Sequence, residues 1–251
     1  MLSEIFKLFW KTVEKKDARR INSQTPPTEI KQFCDIQYID DGLWQHRLDV
    51  YSKSGKLSHR PVIIDIHGGG WMYGTKEINK NYCLVLAQND YVVVNINYRL
   101  APDFSVADQL RDCFFAFKWV STNIEKYGGD LNNVFVTGDS AGGFLAAYSA
   151  LLNSSDRLRK VFGVTESGLE FRACGLTSPV CFMNTHTFQD VYYSRVKGKE
   201  FSESTLRGFE NFDAVLNKGS MPPTFLVTSS GDAVGRLPTI KIYNLLCGEG
   251  V

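Results

Sequence analysis

The sequence predicts an α/β fold, a mostly parallel sheet with helices on both faces. Three observations carry that expectation. PVIIDIH (61–67) and YVVVNIN (91–97) are unbroken apolar runs without the in–out alternation of a half-wet strand, so both read as strands buried on two faces. Stretches of helical period separate these and later strands, which is the alternation of a parallel sheet with crossover helices. With 251 residues, 43% of them hydrophobic, the chain fits one large domain, and length does not demand two.

The elements follow in order. In MLSEIFKLFWKTVEKKDARR, Lys7 breaks the apolar run and no small-residue cleavage site follows, so a secretory signal is not expected. Ile5, Leu8, Phe9, Trp10 and Val13 share a helical face opposite the lysines, which predicts an amphipathic helix packed on the domain within residues 1–30. Contact with a membrane surface is the competing reading. Two strands are expected near 31–39 and 45–51, then a polar loop (52–60) and the strand 61–67. A helix over 78–88 precedes the strand 91–97. Ala107, Leu110, Phe114, Phe117 and Val120 keep close to a 3.6 period and predict a helix over 106–127, stopped by Gly128-Gly129. Strand 133–137, helix 141–152, strand 171–177, strand 224–229 and a helix near 236–247 complete the pattern. Residues 182–220 interrupt the rhythm with aromatics set among charges and a helix near 203–217. They read either as a lid over a pocket or as a connection with its own small core. The whole chain, 1–251, is taken as a single domain.

Composition excludes several classes. A formal net charge of +1 leaves no basic footprint for nucleic acid. No stretch reaches the length of a transmembrane helix. The six cysteines form no C-x-x-C pair and no metal-like cluster with histidine, and most sit in apolar stretches, which suits reduced thiols in a cytoplasmic protein. A Cys174–Cys181 disulfide is the alternative.

Two motifs carry chemistry. Gly138-Asp139-Ser140-Ala141-Gly142 is G-x-S-x-G between the strand VFVT and the helix GGFLAAYSALL. Such a tight strand-to-helix turn needs glycine on both sides of the serine, and it aims the helix amides at developing negative charge. Asp139 fills the free position and is expected to support the turn. His67-Gly68-Gly69-Gly70-Trp71 follows the strand 61–66, and its glycines let backbone N–H groups approach a substrate carbonyl. A phosphate loop would need a Gly-Lys-Ser/Thr ending or G-x-G-x-x-G spacing, and neither is there.

HGGGW, NYRLAP (97–102) and GDSAGG (138–143), in that order, resemble the hormone-sensitive-lipase-like esterases of the α/β-hydrolase superfamily, from about residue 45 onward. The resemblance implies an α/β-hydrolase fold and hydrolysis of short- or medium-acyl carboxylic esters, with the triad in the order serine, acid, histidine. By position it makes Ser140 the nucleophile and the amides of Gly69, Gly70 and Ala141 the oxyanion hole. No metal or organic cofactor is called for. The partner implied is a small-molecule ester, and a homo-oligomer is compatible with the sequence.

Asp232, just past an expected buried strand, is the candidate acid, with a helix-capping role as its bland alternative. Asp190 and Asp213 are poorer candidates. None of the four histidines suits the base. His67 belongs to the glycine loop, His46 and His59 precede the serine, and His186 falls before Asp232 in the expected lid. In the resembling family the base follows one more strand, so the final strand and helix are expected beyond Val251 and residues 1–251 alone are expected to be nearly inactive. Trp71 and Tyr73 are candidates for pocket walls. Two other readings stay open, a catalytically inactive ligand-binding protein on a hydrolase scaffold and an amidase or peptidase using the same site.

Overall fold

The computed structural model describes residues 2–55, 59–183, 189–203 and 206–251. Helix α1 (Leu2–Asn22) leads into strands β1 (Ile30–Gln37) and β2 (Arg47–Lys53). Then follow β3 (Arg60–Ile66), α2 (Lys80–Gln88), β4 (Val92–Ile96), α3 (Val106–Asn123), β5 (Gly129–Asp139) and α4 (Ala141–Asn153). The last part holds α5 (Asp156–Phe162), β6 (Phe171–Thr177), α6 (Gln189–Glu203), α7 (Phe212–Leu216), β7 (Thr224–Val227) and α8 (Arg236–Gly248). The strands form one sheet in the order β1-β2-β4-β3-β5-β6-β7. Every neighbouring pair from β4 to β7 is parallel, and β2 runs antiparallel to both β1 and β4.

Two apolar layers explain the unbroken runs. Val92, Val94 and Ile96 face the large core that α3 and α4 cover, whereas Val93 faces a second cluster with Tyr51, Cys83, Leu84 and Ala87 under α2. All five β4 side chains are buried, and each apolar one contributes on the order of 1.5–3 kcal/mol. Helix α3 starts where Ser105 and Asp108 close a reciprocal capping box. Its expected last turn tightens into a 3₁₀ turn over Ile124–Tyr127, ended by Gly128 at φ 88°.

Three expectations need correction. On α1, Trp10 and Val13 turn inward with Asp17 and Ile21, while Leu8 and Phe9 are 68% and 56% exposed. Of the helix expected near 203–217 only α7 (Phe212–Leu216) falls inside that range, and it is preceded by an unexpected helix, α6 (Gln189–Glu203), kinked at Gly198 with φ 65°. Strand β5 begins four residues early, because Gly129 and Asp130 pair with Arg60 and Pro61 before a register shift. Within 182–220, Tyr193, Val196, Phe201, Leu206 and Phe212 join the main core. Cys174 and Cys181 carry free buried thiols. Among the described residues no helix is long and apolar enough to cross a membrane.

Candidate active site

Topology opens the crevice. From β3 the chain moves through α2 to β4 on one side, then returns through α3 to β5 on the other side of β3. The loops leaving the adjacent strands β3 and β5 therefore part toward opposite faces at their carboxyl ends, where open α/β sheets bind ligands. Those two loops are the ones that hold HGGGW and Ser140.

Ser140 has φ 52° and ψ −113°, a backbone that side chains other than glycine rarely take. The surroundings over-determine it. Its N–H donates to the Thr177 carbonyl at 2.9 Å, and its carbonyl accepts from Phe144 and Val180 at 3.1 and 3.2 Å. A Cβ at Gly142 would overlap the Ile66 and His67 carbonyl oxygens, so only glycine lets α4 start this close to β3. Helix α4 is buried along almost its whole length, and its amino end lies directly behind Ser140.

The glycine loop is braced at every carbonyl. His67 Nδ1 pairs with the Gly68 oxygen at 2.7 Å, and Tyr98 donates its hydroxyl to the His67 oxygen at 2.7 Å. Met72 and Tyr73 donate their N–H groups to Gly69, and Tyr192 donates its hydroxyl to the Gly70 carbonyl at 2.5 Å. Trp71 O receives the N–H of Ala101 and the Gln109 side-chain amide. Gly69 sits at φ 120° with the Tyr73 carbonyl where a Cβ would be, and Gly70 at φ 57°. By contrast, the N–H groups of Gly69 and Gly70 make no hydrogen bond to a described residue. Among the described residues they are donors without a partner, held on a rigid frame.

Asp232 lies five residues past the end of β7, at the same sheet edge as Ser140 but two strands away. Ser178 stands between them, following β6. Hydrogen bonds from the Ser178 hydroxyl and from the Gly235 and Val234 N–H groups hold the Asp232 carboxyl below its usual range. Its Oδ1 accepts those two amides at 2.8 and 2.9 Å, so Asp232 also shapes the turn into α8. It makes no hydrogen bond to Ser140.

The described histidines are engaged elsewhere. His67 is fully buried, stacks on Tyr98 at 4.4 Å, and is pushed down to about 4 by burial. His46 has Nδ1 at 2.6 Å from Asp41 and Nε2 at 3.2 Å from Asp112, three strands from β5. His59 precedes β3 at the end opposite the crevice, roughly 20 Å away at 3.3 Å per strand residue. His186 lies outside the described residues. No group of three or more metal-ligating side chains occurs among the described residues.

The expected pocket walls divide. Trp71 is only 2% exposed and packs edge-on against Phe144 and Tyr193, so it belongs to the core and not to an open wall. Tyr73 stacks on Trp10 of α1 at 5.3 Å. Trp10 and the Tyr192 hydroxyl together close over Gly70 from α1 and α6, contacts that no local pattern announces. The NYRLAP segment proves to be the brace of the glycine loop, through Tyr98 and Ala101. Arg99 clamps the buried Asp112 with bidentate hydrogen bonds at 2.6–3.0 Å.

The BD-FAE family model matches residues 48–195. Isoprenylcysteine alpha-carbonyl methylesterase ICME of Arabidopsis thaliana is 28% identical over 215 residues, which are 82% of this chain and 48% of that protein. Carboxylesterase NlhH of Mycobacterium tuberculosis is 32% identical over 145 residues, 56% of this chain and 45% of its own. The chain thus spans about half the length of these two relatives. Esterase B from Lactobacillus rhamnosis, in a crystal structure with a tributyrin phosphonate inhibitor, superposes with a TM-score of 0.90 at 29% identity, over 98% of this chain and 80% of that one.

Proposed function

The chain belongs to the BD-FAE family and has the α/β-hydrolase fold, and on that premise we propose that it is a serine hydrolase of carboxylic esters. The observation that carries the reading is the backbone of Ser140, held at φ 52° between β5 and α4. A fold keeps such strain where it has a use for it. In the proposed reaction Ser140 Oγ attacks the ester carbonyl, and the amides of Gly69, Gly70 and Ala141 receive the oxyanion. A general base takes the serine proton and returns it to the leaving alcohol. Water then releases the acid from the acyl-enzyme. Asp232 orients the base, its carboxylate kept charged by the donors around it.

The pairings of His46 with Asp41 and Asp112, and of His67 with the Gly68 carbonyl, support neither of these two as that base. The esterase names of the relatives support an ester substrate, and the tributyrin phosphonate bound to esterase B supports short acyl chains. We take 182–220 as a lid, tied to the glycine loop by the Tyr192 hydroxyl. Six free thiols support a cytoplasmic location.

The test compares p-nitrophenyl ester hydrolysis by the protein and by its Ser140→Ala variant. The protein should turn over short-acyl esters, and the variant should lose that turnover. Equal rates would overturn the assignment of Ser140. Rates that climb steadily past about ten acyl carbons would overturn the chain-length reading, since each further buried methylene adds about 0.8 kcal/mol.

A further inference from the structure

Behind the nucleophile turn, a buried and a half-buried carboxylate share one donor. Asp65 on β3, 1% exposed, and Asp139 both accept from the Nδ2 group of Asn79, at 3.0 and 2.9 Å. The same Asp139 Oδ1 accepts the Gly68 N–H at 3.0 Å. Asn79 enters from the turn after the glycine loop, where its own N–H donates to the Lys76 carbonyl ahead of α2. Its side chain makes no capping bond to α2, so the amide is free for the two acids. One side-chain amide therefore joins the end of β3, the nucleophile turn and the first glycine of the oxyanion loop.

Charge explains why an amide stands there. Two carboxylates on one donor repel if both ionise. Burial pushes both carboxyls up, and the Asp139 charge adds to it for Asp65, which reaches about 7. Hydrogen bonds from the Asn79 amide oppose the rise at both carboxyls, helped by the Gly68 N–H at Asp139 and by Cys83 at Asp65. The other titratable groups facing the pair are Cys83 and Tyr82 from α2 and Arg20 from α1.

We propose that Asn79 is a positioning residue for the oxyanion hole: it holds the Asp139 carboxylate under the Gly68 N–H and so locks the glycine loop to the nucleophile turn. The proposal rests on the serine-hydrolase reading of Ser140. Asn79 touches no reacting atom. It acts through Asp139 and Gly68 on the N–H groups of Gly69 and Gly70. A cavity of about 180 Å³ beside Asn79, lined by Tyr82, Thr137 and Thr177 among others, gives room for substitution without overpacking.

The experiment measures kcat and KM for a short-acyl ester, across pH, in the full-length protein and its Asn79→Ala and Asn79→Asp variants, with folding checked by circular dichroism. Asn79→Ala should lower kcat by about 10–100-fold with KM little changed, the effect of a misplaced donor set. Asn79→Asp can donate one hydrogen bond while protonated, but once ionised it donates none and repels Asp139. Its kcat relative to wild type should therefore fall as pH rises. Wild-type kcat in Asn79→Ala, or a pH-independent ratio for Asn79→Asp, overturns the proposal. If Asn79→Ala does not fold, the Asn79→Asp ratio decides alone. A wild-type protein that neither hydrolyses esters nor reacts with a fluorophosphonate overturns the serine-hydrolase reading itself, a result distinct from the failure of Asn79.

Discussion

Replacing Ser140 by glycine should stabilise the protein relative to replacing it by alanine, although both changes remove the same hydroxyl. At φ 52° and ψ −113° a residue with a Cβ bears roughly 1–3 kcal/mol of backbone strain. Alanine keeps that Cβ, and glycine does not. Against the gain stands the freer unfolded chain of glycine, worth about 0.4–1 kcal/mol. The Ser140 hydroxyl makes no capping bond to α4, so its loss adds no difference between the two variants. The net advantage of Ser140→Gly is then about 0.5–2 kcal/mol. For a domain of this size each kcal/mol moves the melting temperature by roughly 2–4 °C, so Ser140→Gly should melt about 1–8 °C above Ser140→Ala. Differential scanning calorimetry on the two variants side by side reads this directly. An alanine variant that melts at or above the glycine variant would refute the claim of strain, and with it the step from backbone to nucleophile.

Two further predictions concern the frame. Burial pulls the His46 imidazole down, but hydrogen bonds and charge from Asp112 and Asp41 outweigh it, so its pKa is raised on folding. Its stabilisation is complete below the unfolded value of about 6.5 and is lost as pH rises through the folded value. The stability difference between wild type and His46→Gln, from urea titrations, should shrink over that window, and a constant difference would contradict the pairing. Gly69→Ala puts a methyl against the Tyr73 carbonyl, which the Tyr73 N–H to Gly69 bond holds in place. It should cost roughly 10²-fold or more in kcat for a lost oxyanion donor, and near-normal turnover would remove Gly69 from the site.

Local pattern made much of this legible. The β-branched runs named β3 and β4 because burial on both faces leaves no alternation to misread. The glycine spacing around Ser140 named the turn because a Cβ at Gly138 would strike Gly142 within the same five residues. What stayed hidden depends on contacts between distant segments. Tyr98 reads as one aromatic in NYRLAP, and its hold on His67 spans 31 residues of chain. Tyr192 reaches Gly70 across 122 residues, and Asn79 reaches Asp139 across 60. Trp71 shows the reverse error. Next to the glycine loop it suggested a pocket wall, but the chain turns there at φ 64° and sends the indole into the core. Helical period placed Leu8 and Phe9 with Trp10, and only docking against Tyr73 decided which of them faces inward.

The most direct test of the nucleophile is covalent. The full-length protein and its Ser140→Ala variant are treated with a fluorophosphonate, and the adduct is located by peptide mass spectrometry. A single adduct on Ser140, absent from the variant, is the expected result. Equal labelling of both proteins, or an adduct on any other residue, would contradict the assignment of Ser140.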